Sequence, residues 1–147
     1  MAEEMTGQCL CGKVRFKSKA VHEVGACHCD MCRRWCGGPG IAVHVKDKPA
    51  ITGEENLTWF KSSDWAARGF CSTCGSNLFY RLELEEPEYV VFAGAYHDQS
   101  AFELKNQIFI DEKPAYYDFA GDIPSMTGEE VFAMYGAGND AGDREST

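Results

Sequence analysis

The stretch GFCSTCGSN, residues 69–77, decides the fold that this sequence predicts. Its cysteines, Cys71 and Cys74, have the C-x-x-C spacing at which two thiolates commonly bind one metal ion. A second pair, Cys9 and Cys11, lies in GQCLCGK. Each pair is followed by a glycine, which can take a positive φ and let backbone amides point at a sulfur. We expect the two turns to meet as a four-cysteine cluster, a closed and therefore structural zinc site.

A redox-active C-x-x-C motif is the alternative for residues 71–74. Such a motif should open a helix after a strand in a βαβ unit. Here CSTCGSNLFYR leads into a strand instead. The zinc interpretation is therefore favoured, and the metal would tie the N-terminal strand to the middle of the chain.

Composition indicates one globular domain, which we assign to residues 1–136, with residues 137–147 as a flexible, Gly-rich tail. The chain has 147 residues, of which 44% are hydrophobic, and no run of about 20 apolar residues that could span a bilayer. Because MAEEMTGQ is acidic and lacks an apolar core, it does not resemble a secretory signal. We therefore expect a cytoplasmic protein with reduced thiols, so its eight cysteines favour metal binding or catalysis over disulfides. The net charge of −9 disfavours nucleic acid and anionic membranes as partners.

Hydrophobic alternation predicts a mainly β fold of short antiparallel strands. The period-two runs, each bounded by Gly, Pro, Asp or Asn, lie at residues 13–18, 40–46, 56–60, 65–70, 77–84, 88–94 and 106–110. One short C-terminal helix is predicted, with Thr127 and Glu130 as its capping box and Gly136 as its stop.

A further group of thiols lies in ACHCDMCRRWCGG, residues 26–38. Cys27, Cys29 and Cys32 can reach one ion from a loop and a single turn, and we call them the three-cysteine cluster. Three protein ligands and one open position are typical of catalytic zinc. Cys36 is four residues beyond Cys32, which would place the two on one face of a helical turn. It could close the site as a fourth ligand, although the open vertex is equally reachable by water or a substrate sulfur.

Four segments resemble the glutathione-dependent formaldehyde-activating enzyme family, which includes the centromere protein V relatives. They are GQCLCGKVRF, CHCDMCRRWCGGP, FCSTCGSNLFYR and IFIDEKPAYYDFAG, and they occur in this order. The resemblance covers roughly residues 5 to 120. Three cysteine motifs in order are far more specific than a lone C-x-x-C.

The resemblance implies two zinc ions per chain, one in each cluster, and a mainly β fold around the structural one. It implies a carbon–sulfur lyase that joins formaldehyde to glutathione as S-(hydroxymethyl)glutathione, with the three-cysteine cluster acting through its zinc. The partners would be a small thiol and a small aldehyde. Family members commonly carry Ser or Thr at the position of Cys36, so we expect that it does not bind zinc.

Charged neighbours of the three-cysteine cluster are further candidates. Arg33 and Arg34 could neutralise the thiolates or bind a glutathione carboxylate, and we assign the thiol-substrate carboxylate to Arg33. His28 lies between two ligands, and we expect its side chain to point away and hydrogen-bond rather than bind metal. His97 and His44 could act as acids or bases, although histidines more often have no such role.

Two other functions are compatible with the residues. One is a zinc-stabilised binding module without activity. The other is a thiol-based oxidoreductase, for which Cys36 is the only cysteine outside the two clusters.

Overall fold

Eleven strands and two short helices form the described part of the chain, residues 3–20, 22–45 and 47–134 of a computed structural model. In chain order they are β1 (Glu3–Gln8), β2 (Arg15–Ala20), β3 (Glu23–Cys27), α1 (Asp30–Cys36), β4 (Gly40–Val45), β5 (Ala50–Thr52), β6 (Leu57–Lys61), β7 (Ala66–Cys71), β8 (Asn77–Leu82), β9 (Glu88–Phe92), β10 (Glu103–Ile108), β11 (Ser125–Met126) and α2 (Gly128–Met134). The predicted mainly β fold is confirmed. Within these ranges no helix is long and apolar enough to cross a membrane.

The strands form one sheet with the order β11-β10-β3-β4-β9-β8-β7-β6, and β2 joins β1 and β5 to β4. Most neighbours are antiparallel, as predicted, but β10 runs parallel to both β3 and β11. Each of the seven predicted runs overlaps an observed strand. The parallel pairing brings the end of β10 beside the end of β3, where the three-cysteine cluster begins.

The pleat of the sheet separates the main core from a second apolar region. Val43, Phe79 and Val91 have no exposed surface and belong to the core on one face. Val14 and Phe16 are buried there too, as their alternation predicts, and the Phe16 ring meets the Phe79 ring edge-on at 5.2 Å. Residues that alternate with these in β4, β8 and β9 face the opposite side, where the candidate site lies.

The C-terminal helix α2 has the predicted capping box. The Thr127 hydroxyl accepts a hydrogen bond from the Glu130 amide at 3.2 Å, and the Glu130 carboxylate accepts one from the Thr127 amide at 2.7 Å. Val131 of α2 has a buried side chain. The predicted stop at Gly136 and the predicted tail, residues 137–147, lie outside the described residues.

Four strands have too weak a pattern to be predicted, namely β1, β3, β5 and β11. In β3 the inward residues are Val24 and Ala26 with Gly25 between them, so little hydrophobic contrast marks the strand. Its formation depends on hydrogen bonds to β4 on one side and β10 on the other. Tertiary pairing rather than local propensity therefore forms this strand.

Candidate metal centres

The four-cysteine cluster forms where the β1–β2 turn meets the β7–β8 turn. Its four Sγ atoms all lie within 4.8 Å of one another. The Cys9 and Cys11 sulfurs are 3.6 Å apart, and those of Cys11 and Cys71 are 3.8 Å apart. Four sulfurs at ~2.3 Å from one zinc ion would be about 3.8 Å apart in a tetrahedron. The arrangement therefore fits one metal ion with all four positions filled by protein.

Both turns have the backbone geometry that the sequence predicts. Gly12 and Gly75 each have φ of 80°, a conformation that side chains rarely adopt. The Val14 amide donates to the Cys9 sulfur at 3.3 Å. A hydrogen bond with Ser76 lowers the pKa of Cys74 to about 5, which favours the thiolate that a metal requires. The turn at Cys74 thus stabilises sulfur in its metal-binding form.

The three-cysteine cluster lies at the junction of β3 and α1. Cys27 ends β3, Cys29 is the N-cap of α1, and Cys32 is in the helix. The Cys29 sulfur accepts a hydrogen bond from the Cys32 amide at 3.3 Å and lies 3.4 Å from the Cys27 sulfur. The three sulfurs are within 4.8 Å of one another. The N-cap of the helix, Cys29, is therefore also one of the three cysteines with metal-ligand spacing.

Arg68 on β7 is part of this cluster, and sequence reasoning missed it. Its side chain is 3% exposed, and both terminal nitrogens lie 3.7 Å from the Cys32 sulfur. Hydrogen bonds from Cys27 and Cys29 hold the pKa of Cys32 well below its usual range, and the Arg68 guanidinium adds to this effect. The Cys29 hydrogen bond and burial raise the pKa of Cys27 well above its usual range. Crowded thiols cannot all ionise without more positive charge, which a bound cation would supply.

Cys36 lies outside both groups of sulfurs that could hold a metal ion among the described residues. It ends α1 and is partly buried, and this burial raises the pKa of its thiol. This position agrees with the expectation that Cys36 does not bind zinc in the resting protein. That expectation stays a prediction.

His28 points away from the metal ligands on either side of it, as predicted. The ring is fully buried, with Nε2 donating to the Gln107 side-chain oxygen at 2.8 Å and Nδ1 hydrogen-bonded to the Tyr117 hydroxyl at 2.9 Å. These bonds join the start of α1 to β10 and to the segment after it. His28 therefore positions the cluster and is not one of its ligands in this arrangement.

The other charged candidates are dispersed. Arg33 donates from Nε to the His28 carbonyl at 2.9 Å, while Arg34 is exposed. His97 is hydrogen-bonded to Thr6 and Gln8 on β1. The assignment of a substrate carboxylate to Arg33 stays a prediction.

A cavity of about 260 Å³ adjoins the three-cysteine cluster. It is lined by Cys27, Cys29, Met31, Cys32, Gly40, Ala42, His44, Trp65, Arg68, Tyr80, Leu82, Leu84, Val90, Phe92, Ile108, Phe109, Val131 and Phe132. Neighbouring strands contribute directly paired residues in the order Arg68, Tyr80, Val90 and His44, so one row of the sheet forms its floor. The Arg68 guanidinium lies over the Tyr80 ring, 5.0 Å from its centroid.

Phe109 closes this cavity from the chain that follows β10. Its φ of 56° and ψ of 43° are the left-handed conformation, which is costly for a bulky residue. The ring meets Phe132 of α2 edge-on at 5.8 Å, and a Cβ on Gly128 would lie within 2.8 Å of it. Strained backbone of this kind clusters at functional sites, and here it holds an aromatic wall in place.

Comparison with known proteins identifies the family. Residues 4–112 match the model of the glutathione-dependent formaldehyde-activating enzyme family, and the chain belongs to this family. An uncharacterized lyase of Schizosaccharomyces pombe is 33% identical over 129 residues, which cover 87% of this chain and 94% of the yeast protein. A putative glutathione-dependent formaldehyde-activating enzyme of Halomonas elongata is 31% identical, with 89% of this chain and 88% of that protein covered. A crystal structure of a Rhodobacter sphaeroides protein has the same fold, with a TM-score of 0.55 and 22% identity over 82% of this chain and 99% of that one.

Proposed function

We propose that this member of the family is a zinc-dependent carbon–sulfur lyase that joins an aldehyde to a thiol, with formaldehyde and glutathione as the reference substrates. One observation carries the proposal: three sulfurs with metal-ligand spacing, two of them from buried cysteines, line a cavity beside a buried arginine. The four-cysteine cluster would hold a second, structural zinc ion. The product is the S-hydroxymethyl adduct.

The three-cysteine cluster would hold a zinc ion with one position left for a substrate sulfur. Bound there, the metal would supply the chemistry of a Lewis acid that favours the thiolate of the substrate at neutral pH. A free thiol has a pKa near ~8.5, so little of it is nucleophilic at that pH.

The positive charge of Arg68 offsets the net negative charge that the metal-bound cluster would have. Three thiolates and one divalent cation leave a net negative charge, which would oppose binding of a fourth, anionic sulfur. The guanidinium beside Cys32 neutralises that charge, and its effect is strong because the group is buried. The Arg68 Nε atom is buried and has no hydrogen-bond partner within the described structure.

Tyr80 is the candidate hydrogen-bond donor to the oxygen of the aldehyde. In the addition, the sulfur attacks the carbonyl carbon, the C=O π electrons move to oxygen, and that oxygen takes up a proton while the thiol has lost one. Burial raises the pKa of Tyr80, which keeps its hydroxyl protonated and able to donate. Its ring lines the cavity next to Arg68. We propose that it donates a hydrogen bond to the developing alkoxide.

Exchange NMR tests the activity, because thiols and formaldehyde also combine spontaneously. The wild-type protein should accelerate formation of S-(hydroxymethyl)glutathione above the uncatalysed rate, and Cys29→Ser should abolish the gain. Folded protein that lacks only the zinc ion of the three-cysteine cluster is the matched control, measured beside the uncatalysed reaction. A rate equal to that in buffer, with no glutathione binding by calorimetry, would contradict the proposal and favour a binding module.

A further inference from the structure

The cavity beside the three-cysteine cluster is far more apolar than its assigned reactants. Apart from the cysteines, its lining is aliphatic and aromatic, with Arg68, Tyr80 and His44 as the polar side chains. None of the described residues that line it is acidic. Arg68 already lies against the Cys32 sulfur.

Exposure increases from one end of the cavity to the other. Arg68 and Cys32 are 3% and 8% exposed, whereas Leu84 is 43% exposed and His44 is also exposed. Cys32 and Arg68 are therefore at the inner end, and a substrate that reaches them must lie along apolar walls. One of these walls is α2, through Val131 and Phe132.

Size argues against formaldehyde as the full occupant. A cavity of about 150 Å³ already accommodates benzene, and this one holds about 260 Å³. Formaldehyde has two non-hydrogen atoms and would leave most of the apolar wall uncovered. Walls of this kind would stabilise an occupant with many carbon atoms.

Charge argues against the body of glutathione as the occupant. Glutathione carries two carboxylates and one ammonium group, and burial of unpaired charges is costly. The described lining offers no carboxylate for the ammonium, and its one buried cation contacts Cys32. The charged groups of such a thiol would have to stay outside the cavity, beyond Leu84.

We propose that the natural substrate pair places an alkyl or aryl group of roughly six carbons or more in this cavity. The group is attached either to the aldehyde carbon or to the thiol, so the product is a hydroxyalkyl thioether that carries this apolar group. This inference rests on the proposed function for its chemistry, whereas the preference for an apolar occupant rests on the cavity alone.

Binding of straight-chain alcohols to the zinc-loaded protein tests the cavity apart from any reaction. Affinity should rise about fourfold for each methylene from butanol to octanol, the gain expected for apolar burial. Trp65 lines the cavity, so its fluorescence should report binding, and Trp65→Phe should remove that signal but retain binding by calorimetry. Affinity that does not change with chain length would overturn the inference.

A matched pair of variants locates the binding. Leu84→Gln, at the exposed end of the cavity, should weaken octanol binding several-fold. Leu10→Gln makes the same change at a leucine that is 86% exposed on the turn between the first two strands, and it should have no effect. Equal effects of the two variants would show that octanol binds elsewhere.

Two reaction series then distinguish the source of the apolar group. In one, formaldehyde, butanal, hexanal and benzaldehyde react with glutathione. In the other, formaldehyde reacts with glutathione and with alkanethiols of increasing length. A rise of kcat/KM along either series supports the inference and identifies which substrate carries the group. Catalysis with formaldehyde and glutathione that falls along both series would overturn it, whereas chain-length-dependent alcohol binding without any catalysis would overturn only the proposed function.

Discussion

The two cysteine clusters contain the same ligand atoms in opposite surroundings. The four-cysteine cluster joins two turns, and its four sulfurs are close enough to bind one metal ion together. The three-cysteine cluster is contributed by one short segment, has one vertex without a protein sulfur, and adjoins both a cavity and Arg68. The proposed structural site and the proposed catalytic site therefore differ in ligand number and neighbours rather than in cysteine spacing.

Sequence separation adds to this difference. Cys11 and Cys71 meet although the strands β2 to β7 lie between them in the chain, so a metal there would restrain much of the fold. Cys27 and Cys32 are already held together by β3, the N-cap of α1 and the hydrogen bonds of His28. Loss of metal from the first cluster should thus unfold the domain, whereas loss from the second should not.

The largest effect is expected for Cys74→Ser, which removes one ligand of the closed cluster. Structural zinc contributes about 10–16 kcal/mol of apparent binding free energy. Because domains are stable by only ~5–15 kcal/mol, this variant should be unfolded or insoluble. Circular dichroism and thermal denaturation measure the outcome.

The control for this variant is the same substitution in the other cluster. Cys32→Ser should give folded protein with one metal ion fewer per chain. If Cys74→Ser purifies in a folded form with an unchanged melting temperature, the structural role of the four-cysteine cluster is wrong.

A smaller effect is expected for Arg68→Gln, which keeps hydrogen-bond donors but removes the charge. Loss of such a neighbour typically lowers metal affinity about 10–100-fold. The guanidinium lowers the pKa of Cys32, so without it the thiol is protonated at higher pH and the metal should be released at higher pH as the solution is acidified. Chelator competition at several pH values measures both shifts.

Arg81→Gln is the matched control for this charge. Arg81 also stacks on an aromatic ring, that of Trp59 at 4.2 Å, and it pairs with Glu83 away from the cluster. Its substitution should leave both metal affinities unchanged. Identical affinities in wild type and Arg68→Gln would refute the electrostatic role of Arg68.

A still smaller effect is expected for Thr127→Ala, which removes the hydroxyl that caps α2. The free energy of unfolding should fall by about 1 kcal/mol, measured by urea denaturation. Because the cap belongs to neither cluster, metal content should stay the same. Loss of a metal ion in this variant would show that α2 contributes more to the site than an apolar wall.

No effect on metal content or activity is expected for Cys36→Ser. In the wild-type protein Cys36 should be the one thiol that iodoacetamide modifies without metal release, and slowly, because burial raises its pKa. Mass spectrometry measures the alkylation, and a zinc-sensitive dye measures the release of metal. Alkylation that expels one metal ion per chain would show that Cys36 closes the site.

Local patterns predicted most of the framework. Alternation predicted seven strands, the capping box predicted α2, and glycine after each cysteine pair predicted turns with positive φ. These features depend on residues that are close together in the sequence, so they can be predicted from it. Strands such as β3, with small inward residues, depend on partners from distant segments and have no comparable signal.

The contents of the site were less predictable than its ligands. Arg68 lies in AARGFC, which has only the alternation of a strand, and its approach to Cys32 depends on how β7 and α1 pack. The basic residues next to the ligands, Arg33 and Arg34, were the obvious candidates, yet neither lines the cavity. Phe109 and its strained backbone likewise had no signal in the sequence.

Release of zinc to a chromogenic chelator, followed together with the β-sheet circular dichroism of the same sample, tests the difference between the clusters most directly. Two phases are predicted: one zinc ion per chain leaves while the circular dichroism is unchanged, and the second leaves as the signal is lost. A single phase that releases both ions together, or loss of both ions from protein that stays folded, would contradict the account.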